Sequence, residues 1–376
     1  MAPVVIDTRG AEDTRDVVHQ AVQALAEGHL VAFPTETVYG IAASALNADA
    51  VARLLEAKGR QKGHPLTLAV RSAEEALDYA PDLGPMGRRL SRRCWPGPLT
   101  LVVENHHPES LLAQLPSDVQ SAVIPNGTIG LRVPAHPLIL DVLRMLTGPV
   151  TLSSANQAGH PEAVTAEEVV TELGEHIDLV LDAGKSRLGQ PSSVVKVTES
   201  NYEILREGVV TQQHLKRLSS LLVLIVCTGN TCRSAMGEVL GRHLIAKKIG
   251  CPEAEIEEHG VIIASAGIAA MAGGKASAQG VEVMTSLGLD LSQHCTQPVT
   301  EQMVRHADLI LTMTRAHREA LVTQWPDAAS RTEVLRTDGK DVSDPIGESV
   351  DEYKRCAEQI RAELEARINT LVIAPA

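Results

Sequence analysis

A run of six apolar residues, 221–226, ends in a polar, cysteine-containing loop and limits the possible folds more than any other segment. A strand without polar alternation is typical of a parallel sheet covered on both faces. A helix is predicted directly after the loop, from about Arg233 to Lys248. Strands then alternate with helices, near 261–265 (strand), 278–287 (helix), 309–312 (strand), 315–324 (helix) and 350–371 (helix). This pattern predicts a doubly wound parallel sheet with its active site at the carboxyl ends of the strands.

The first part of the chain has a different pattern. Because 376 residues are many for one core, we expect two domains. Helices are predicted at 16–27 and 48–58, and short strands at 30–33, 66–70, 99–103, 129–133, 150–152, 179–182, 194–197 and 202–205. Many strands with irregular helices between them predict a mixed, twisted sheet. The expected boundaries are 1–212 for the first domain, 213–220 for a polar linker and 221–376 for the second domain.

Net charge and cysteine content limit the classes of protein to which this chain can belong. The net charge is −13 and neither half has a basic excess, so stable nucleic-acid binding is not expected. No apolar run approaches the length of a membrane span, and the N-terminus lacks the pattern of a secretory signal. Six scattered cysteines in a chain of this length indicate a reduced protein. We therefore expect a cytoplasmic protein with no membrane partner.

The loop after the apolar run has the residues of a cysteine phosphatase site. Its sequence is Cys227-Thr228-Gly229-Asn230-Thr231-Cys232-Arg233-Ser234. Backbone N–H groups and the following helix N-terminus form an anion cradle, and Arg233 supplies a bidentate fork for phosphate oxygens. This positive environment favours a thiolate at Cys227, which attacks phosphorus and forms a phosphocysteine. Ser234 is expected to donate a hydrogen bond to the sulfur, and Asp344 to act as acid and then base.

These residues also have simpler interpretations. A cysteine at a strand end is usually a small hydrophobe, and Asp-Pro is common in turns. The Cys-x5-Arg-Ser spacing between an apolar strand and a helix is much less often accidental. Cys227 and Cys232 could form a redox pair, and we favour a reversible disulfide that protects the nucleophile. Zinc is not expected, because no second Cys/His pair has ligand spacing.

Residues 221–371 resemble the low-molecular-weight protein-tyrosine phosphatases. The resemblance rests on the cysteine loop, on Ser265-Ala266-Gly267, on the segment 308–314 and on Asp344-Pro345. It implies phosphorylated proteins as substrates and no cofactor. Thr231 stands where tyrosine phosphatases usually have an aliphatic residue, and the loop is similar to those of bacterial protein-arginine phosphatases. Because of Thr231, phosphoarginine is expected to be preferred over phosphotyrosine. Ile346 stands where an aromatic residue usually lines the pocket wall, which argues against stacking on phosphotyrosine.

The first domain carries polar motifs on predicted loops. They are residues 34–40 (Pro-Thr-Glu-Thr-Val-Tyr-Gly), 58–66, 95–100, 132–137, 153–156 and 192–195. Each is ordinary turn chemistry by itself. Together they place hydroxyls and clustered cations on loops, which suits an anionic small molecule such as a nucleotide.

The order of these motifs resembles the threonylcarbamoyl-AMP synthases (YrdC-like proteins), over about residues 12–210. That family joins threonine, bicarbonate and ATP, releases pyrophosphate and serves a tRNA modification. The resemblance implies that Thr37 and Arg132 hold threonine. It also implies that Lys58, Arg60 and His64 contact the ATP phosphates or ribose. The residues that it implies around the adenylate are Ser154, Asn156, Ser192 and Arg206. Mg²⁺ is expected to accompany ATP, with no side-chain metal ligands, and partner enzymes of tRNA modification are possible.

Two other functions stay open. The first domain could be a regulatory nucleotide-binding module, because Ala69 replaces a frequent histidine and Glu162 stands where the family usually has a small hydroxyl residue. The second domain could be an arsenate reductase, which would need Cys251 or Cys295 as a resolving cysteine. The two resemblances together predict a bifunctional enzyme that combines a threonylcarbamoyl-AMP synthase and a protein phosphatase.

Overall fold

The computed structural model describes residues 2–59 and 65–371. The chain divides into two compact units, residues 1–215 and 216–376. The segment predicted as a linker is mostly helical, because helix α8 covers Gln212–Ser219.

The first unit contains one mixed sheet. Its strands are β1 (Val4–Asp7), β2 (Val31–Phe33), β3 (Gly40–Ser44), β4 (Thr67–Ala69), β5 (Leu99–Glu104), β6 (Thr128–Arg132), β7 (Val150–Ser154), β8 (Leu179–Asp182), β9 (Ser193–Val197) and β10 (Tyr202–Arg206). The strand order is β1-β8-β2-β3-β7-β4-β6-β5-β9-β10. Parallel pairs such as β4–β6 and β5–β9 lie beside antiparallel pairs such as β3–β7 and β5–β6. The predicted mixed sheet is confirmed.

Helices surround this sheet. They are α1 (Arg15–Ala26), α2 (Ala48–Ala57), α3 (Ala73–Tyr79), α4 (Pro85–Cys94), α5 (Ser117–Val123), α6 (Pro137–Met145) and α7 (Ala166–Leu173), with a 3-10 turn at Leu111–Gln114. Local sequence fixes several starts: the Asn47 side chain caps α2, and Thr165 forms a capping box with Glu168 at α7. The apolar faces of α1 and α6 pack on the centre of the sheet. The polar motifs are left on the connecting loops and strand ends.

The second unit is a parallel α/β fold. Its strands β11 (Leu221–Cys227), β12 (Val261–Gly267), β13 (Leu309–Thr312) and β14 (Thr332–Val334) lie in the order β12-β11-β13-β14, all parallel. The helices are α9 (Arg233–Ile249), α10 (Ala278–Ser286), α11 (Glu301–His306), α12 (Arg315–Gln324) and α13 (Val350–Thr370), with 3-10 turns at Glu253–Glu255 and Pro326–Arg331. The predicted doubly wound parallel sheet is confirmed.

Strand β11 is buried on both faces, as its continuous apolar run predicts. Val223, Ile225 and Cys227 belong to a core cluster with α9 and α13, whereas Leu224 and Val226 belong to a separate cluster with α11 and α12. Since β11 lies between β12 and β13, the chain leaves it at the point where strand order reverses. Ligands of open α/β sheets bind at this point, and Cys227 is located there.

Among residues 2–59 and 65–371, no helix is both long and apolar enough to cross a bilayer.

Candidate active sites

The cysteine loop is held in a tight conformation. Cys227 ends β11 with 3% of its surface exposed. Asn230 has φ of 57°, and it is the one non-glycine residue with positive φ among those described. This conformation directs the Asn230 N–H to the Cys227 sulfur, at 3.3 Å. Helix α9 begins at Arg233 directly after the loop, so its free N–H groups face the same place.

The Asn230 side chain fixes the loop from inside. Its amide Nδ2 donates to Ser234 Oγ at 2.9 Å and to Ser265 Oγ at 2.8 Å, while its Oδ1 accepts from the Gln297 N–H at 3.0 Å. Asn230, Ser234 and Ser265 are fully buried. The loop is therefore organised before any ligand binds.

Ser234 lies where the sequence predicts a donor to sulfur. Its Oγ is 3.0 Å from the Cys227 Sγ. Because this oxygen already accepts from Asn230 Nδ2, its own proton can point to the sulfur. A hydroxyl that donates to sulfur stabilises the thiolate both as nucleophile and as leaving group.

Arg233 and Asp344 face each other at the mouth of the loop. The guanidinium is 4% exposed, donates to the Val342 carbonyl at 3.2 Å and forms an ion pair with Asp344. Asp344 lies between β14 and α13, and 42% of its side chain is exposed. Ile346 is also exposed, at 66%, and its N–H bonds to Asp344 Oδ1 at 3.3 Å. The Asp344 carboxylate, the predicted acid, therefore contacts Arg233 and is also accessible to solvent.

The remaining loop residues contact side chains that the sequence did not single out. Thr228 Oγ1 is 2.9 Å from His317 Nε2, which α12 supplies, and burial lowers the pKa of His317. The buried Cys232 Sγ is 3.1 Å from the hydroxyl of Tyr353, whose pKa burial raises to about 12.

Thr231 is partly buried within the loop. Its Oγ1 is 3.5 Å from Cys232 Sγ, and its carbonyl accepts the Ser277 N–H at 2.9 Å. Cys227 and Cys232 are both free thiols, so the proposed disulfide between them stays a prediction about another redox state.

In the first unit, Arg132 is the centre of a buried network. It is 7% exposed and donates to Thr37 Oγ1 at 2.8 Å and to Glu36 Oε1 at 2.7 Å. The other Glu36 oxygen accepts the Ala135 N–H at 2.8 Å. Sequence reasoning assigned Thr37 and Arg132 but missed Glu36. The available signal was an acidic residue between two threonines directly after a buried strand.

A second group of predicted site residues is held together by hydrogen bonds and consists of Lys58, Ser154 and Asn156. The Lys58 ammonium is buried and donates to the Ser154 carbonyl at 2.6 Å, to Asn156 Oδ1 at 3.0 Å and to the Asn156 carbonyl. Ser154 ends β7, whereas Lys58 follows α2. In this arrangement the lysine fixes the loop after β7 rather than reaching into open space.

Ser192 and Arg206 form a third point. Arg206 donates to the Ser192 carbonyl at 2.8 Å and to its hydroxyl at 3.3 Å, and Thr100 Oγ1 is 3.1 Å from Ser192 Oγ. Burial lowers the pKa of Arg206, with Glu162 acting in the opposite direction and Arg132 in the same direction. Glu162 is therefore within electrostatic reach of the site.

A cavity of about 230 Å³ joins these points. Its lining includes four predicted residues, Arg132, Ser154, Ser192 and Arg206. Arg60 and His64 lie outside the described residues. Ala69 ends β4, paired with Arg132 on β6. Within the described ranges no cluster of three or more His, Cys, Asp or Glu side chains could hold a metal ion.

Comparison with known families agrees with this division. Residues 23–208 match the Sua5/YciO/YrdC family, described as telomere recombination, and residues 222–372 match the low-molecular-weight phosphotyrosine protein phosphatases. The chain belongs to the first family through its first unit, and its second unit is similar to the second family.

Individual relatives are similar to each unit. A Mycobacterium tuberculosis protein, provisionally named threonylcarbamoyl-AMP synthase, is 41% identical over 197 residues, which is 52% of this chain and 85% of the relative. The structure of Pyrococcus abyssi Sua5 with L-threonine covers 70% of this chain and 92% of its own, at 25% identity and a TM-score of 0.52. YwlE from Bacillus subtilis covers 40% and 97%, at 32% identity and a TM-score of 0.36.

Proposed function

We propose that the chain is a bifunctional enzyme, which makes threonylcarbamoyl-AMP in its first unit and hydrolyses phosphoproteins through a phosphocysteine in its second. The observation that carries the phosphatase activity is the Cys227 sulfur, which receives the Asn230 N–H and lies 3.0 Å from Ser234 Oγ beside a buried Arg233.

The phosphatase reaction has two steps. The Cys227 thiolate attacks phosphorus while Arg233 and the loop N–H groups hold the phosphate oxygens. The bond from phosphorus to the leaving atom breaks, and that atom takes a proton from Asp344. Asp344 then accepts a proton from water, the water oxygen attacks phosphorus, and the thiolate leaves with the Ser234 hydroxyl supporting it.

Two substitutions test these roles. Cys227→Ser is expected to abolish hydrolysis of an aryl phosphate while phosphate binding persists. Asp344→Ala is expected to slow phosphocysteine formation most for poor leaving groups, since a good leaving group needs no proton. Full activity of Cys227→Ser would end the nucleophile assignment.

We propose phosphoarginine as the preferred substrate because Thr231 places a hydroxyl in the loop where a tyrosine phosphatase usually has an aliphatic side chain. Ile346 beside Asp344 supplies no aromatic ring for stacking on phosphotyrosine. The test compares kcat/KM for phosphoarginine and phosphotyrosine peptides in the native chain, Thr231→Ile and Thr231→Val. Val matches Thr in shape, so it isolates the hydroxyl. A strong tyrosine preference that neither substitution changes would contradict the proposal.

In the first unit, we propose that threonine binds at Thr37 and Arg132, and that ATP lies along Ser154, Ser192 and Arg206. Lys58 and Asn156 then act by fixing the loop after Ser154. Forming threonylcarbamoyl-AMP from threonine, bicarbonate and ATP with release of pyrophosphate depends on positioning more than on a side-chain nucleophile. Since the described residues offer no three-ligand metal cluster, Mg²⁺ would be held mainly by the triphosphate.

The test for this unit uses the intact Cys227→Ser chain, so that the phosphatase cannot act on the products. Pyrophosphate release should require threonine, bicarbonate and ATP together. Arg132→Lys should raise the KM for threonine. A single Lys ammonium cannot replace both the Nη2 bonds to Glu36 and Thr37 and the Nε bond to the Gly97 carbonyl.

The competing function is a nucleotide-binding regulatory module. It is favoured by the carboxylate of Glu162, which acts on Arg206 and would repel phosphate. ATP binding without pyrophosphate release would support it, and Glu162→Ser should then restore turnover if the carboxylate is the cause.

A further inference from the structure

A second cavity of about 320 Å³ lies beside the substrate cavity of the first unit. Thr35 lines both. The Glu36–Arg132 ion pair connects them, because Glu36 lines the second cavity and Arg132 the first. None of the described residues predicted to bind substrate in this unit lines the second cavity.

Two buried polar atoms of residues lining the second cavity have no hydrogen-bond partner among the described residues. They are Ser186 Oγ and His136 Nδ1. Ser186 is 7% exposed. Buried polar atoms in folded proteins nearly always have a partner, so this pair is evidence for a ligand with polar atoms.

The charges around the cavity favour an anion. Lys185 and Arg187 line it and have exposed side chains. Pro137, the first residue of the nine-residue helix α6, also lines it; Pro137 has no N–H to donate, but the positive end of the helix dipole attracts negative charge. The one carboxylate in the lining, Glu36, is already neutralised by Arg132 and the Ala135 N–H.

We propose that this cavity is a binding site for a small oxyanion, bicarbonate or inorganic phosphate. Ser186 and His136 donate hydrogen bonds to it, and Lys185 and Arg187 balance its charge. Because Glu36 lines the cavity and holds Arg132, occupancy is transmitted to the arginine of the substrate cavity. The proposal rests on this cavity alone and does not depend on which reaction the unit performs.

The test is a titration of the intact chain, with ¹⁵N-labelled histidine, by phosphate, bicarbonate or chloride at constant ionic strength. The His136 signals are identified by their loss in His136→Asn. We expect them to move saturably with phosphate or bicarbonate and not with chloride. If one anion acts at much lower concentration, it is the ligand. The phosphate loop of the other unit also binds phosphate, so Arg233→Ala is included in the background.

Variants in the same loop separate the site from general charge effects. Ser186→Ala should weaken binding about tenfold, as expected for one lost hydrogen bond to a charged ligand. Lys185→Ala with Arg187→Ala should weaken it further, while the exposed neighbour Gln190→Ala should leave it unchanged. The proposal fails if chloride moves His136 equally, if no anion moves it, or if Ser186→Ala binds with unchanged affinity.

Discussion

Asn230 should be the most sensitive position of the phosphate loop to a small substitution. Asn230→Ala removes three buried side-chain hydrogen bonds, to Ser234, Ser265 and Gln297. At about 1 kcal/mol each, their loss lowers the free energy of unfolding by ~3 kcal/mol. The positive φ of 57° adds a penalty for Ala, which costs about 1 kcal/mol in the left-handed region. We therefore expect a total near 4 kcal/mol.

Asn230→Gly is the matched control. It loses the same hydrogen bonds but adopts positive φ freely, so it should be more stable than Asn230→Ala by about 1 kcal/mol. Only the comparison of the two variants separates backbone strain from hydrogen bonding.

Urea unfolding of the intact chain can measure this difference. The chain has two tryptophans, Trp95 in the first unit and Trp325 in the second, so in a Trp95→Phe background the fluorescence reports the second unit. With a slope of about 2 kcal/mol/M, the Ala variant should unfold at ~0.5 M less urea than the Gly variant. Equal midpoints would refute the strain argument, and a loss below ~1 kcal/mol in both would refute the hydrogen-bond argument.

Three further outcomes are expected. Gly267→Ala would place a Cβ 2.5 Å from the Thr228 carbonyl oxygen, so the phosphate loop must shift and kcat on an aryl phosphate should fall by up to about 100-fold. Pyrophosphate release by the first unit is the unaffected control, and an unchanged kcat would contradict the close packing. Thr165→Ala breaks the capping box of α7 and should lower the free energy of unfolding of the first unit by about 1 kcal/mol. Trp95 fluorescence in a Trp325→Phe background measures this loss, and Thr171→Ala on the exposed side of α7 should cause a smaller one. Burial lowers the pKa of His317 below 6.5, so the unfolded state takes up the proton first and the second unit loses stability as pH falls through 6.5. The free energy of unfolding of His317→Asn should therefore decrease less between pH 7 and 5 than that of the native chain, and an identical pH dependence would contradict this.

The strands and helices predicted best were those in which local pattern and final environment agree. Strand β13 and helix α12 have the predicted bounds, and β11 extends the prediction by one residue. The two strands are apolar runs that match their burial, and the Thr314 side chain caps the start of α12. The fold class of both units followed from such elements.

Two of the missed elements, β3 and β14, depend on distant partners. Strand β3 has the sequence Gly-Ile-Ala-Ala-Ser, with one β-branched residue, and becomes a strand because it pairs with β2 and β7. Strand β14 has three residues and pairs only with β13. Neither has a local signal strong enough to predict it.

The same distinction applies to the sites. The phosphate loop is contiguous in sequence, so spacing alone indicated its chemistry. The contacts of Glu36 with Arg132 and of Thr228 with His317 join residues 96 and 89 positions apart. Only the folded chain reveals these contacts. The direction of the Lys58 ammonium toward the Ser154 and Asn156 carbonyls was equally beyond sequence reasoning.

The double burial of β11 also determines which insertions and deletions this gene can tolerate. One residue added or removed within the strand would exchange its two faces, sending Leu224 and Val226 into the space of Val223 and Ile225. The pairing with β12 and β13 would shift at the same time, and Cys227 would leave its place beside Gly267. Changes of length near Gly273, which has no atom close to its missing side chain, meet no such barrier. Length variation among natural descendants of this sequence should therefore accumulate at that loop and be absent from β11.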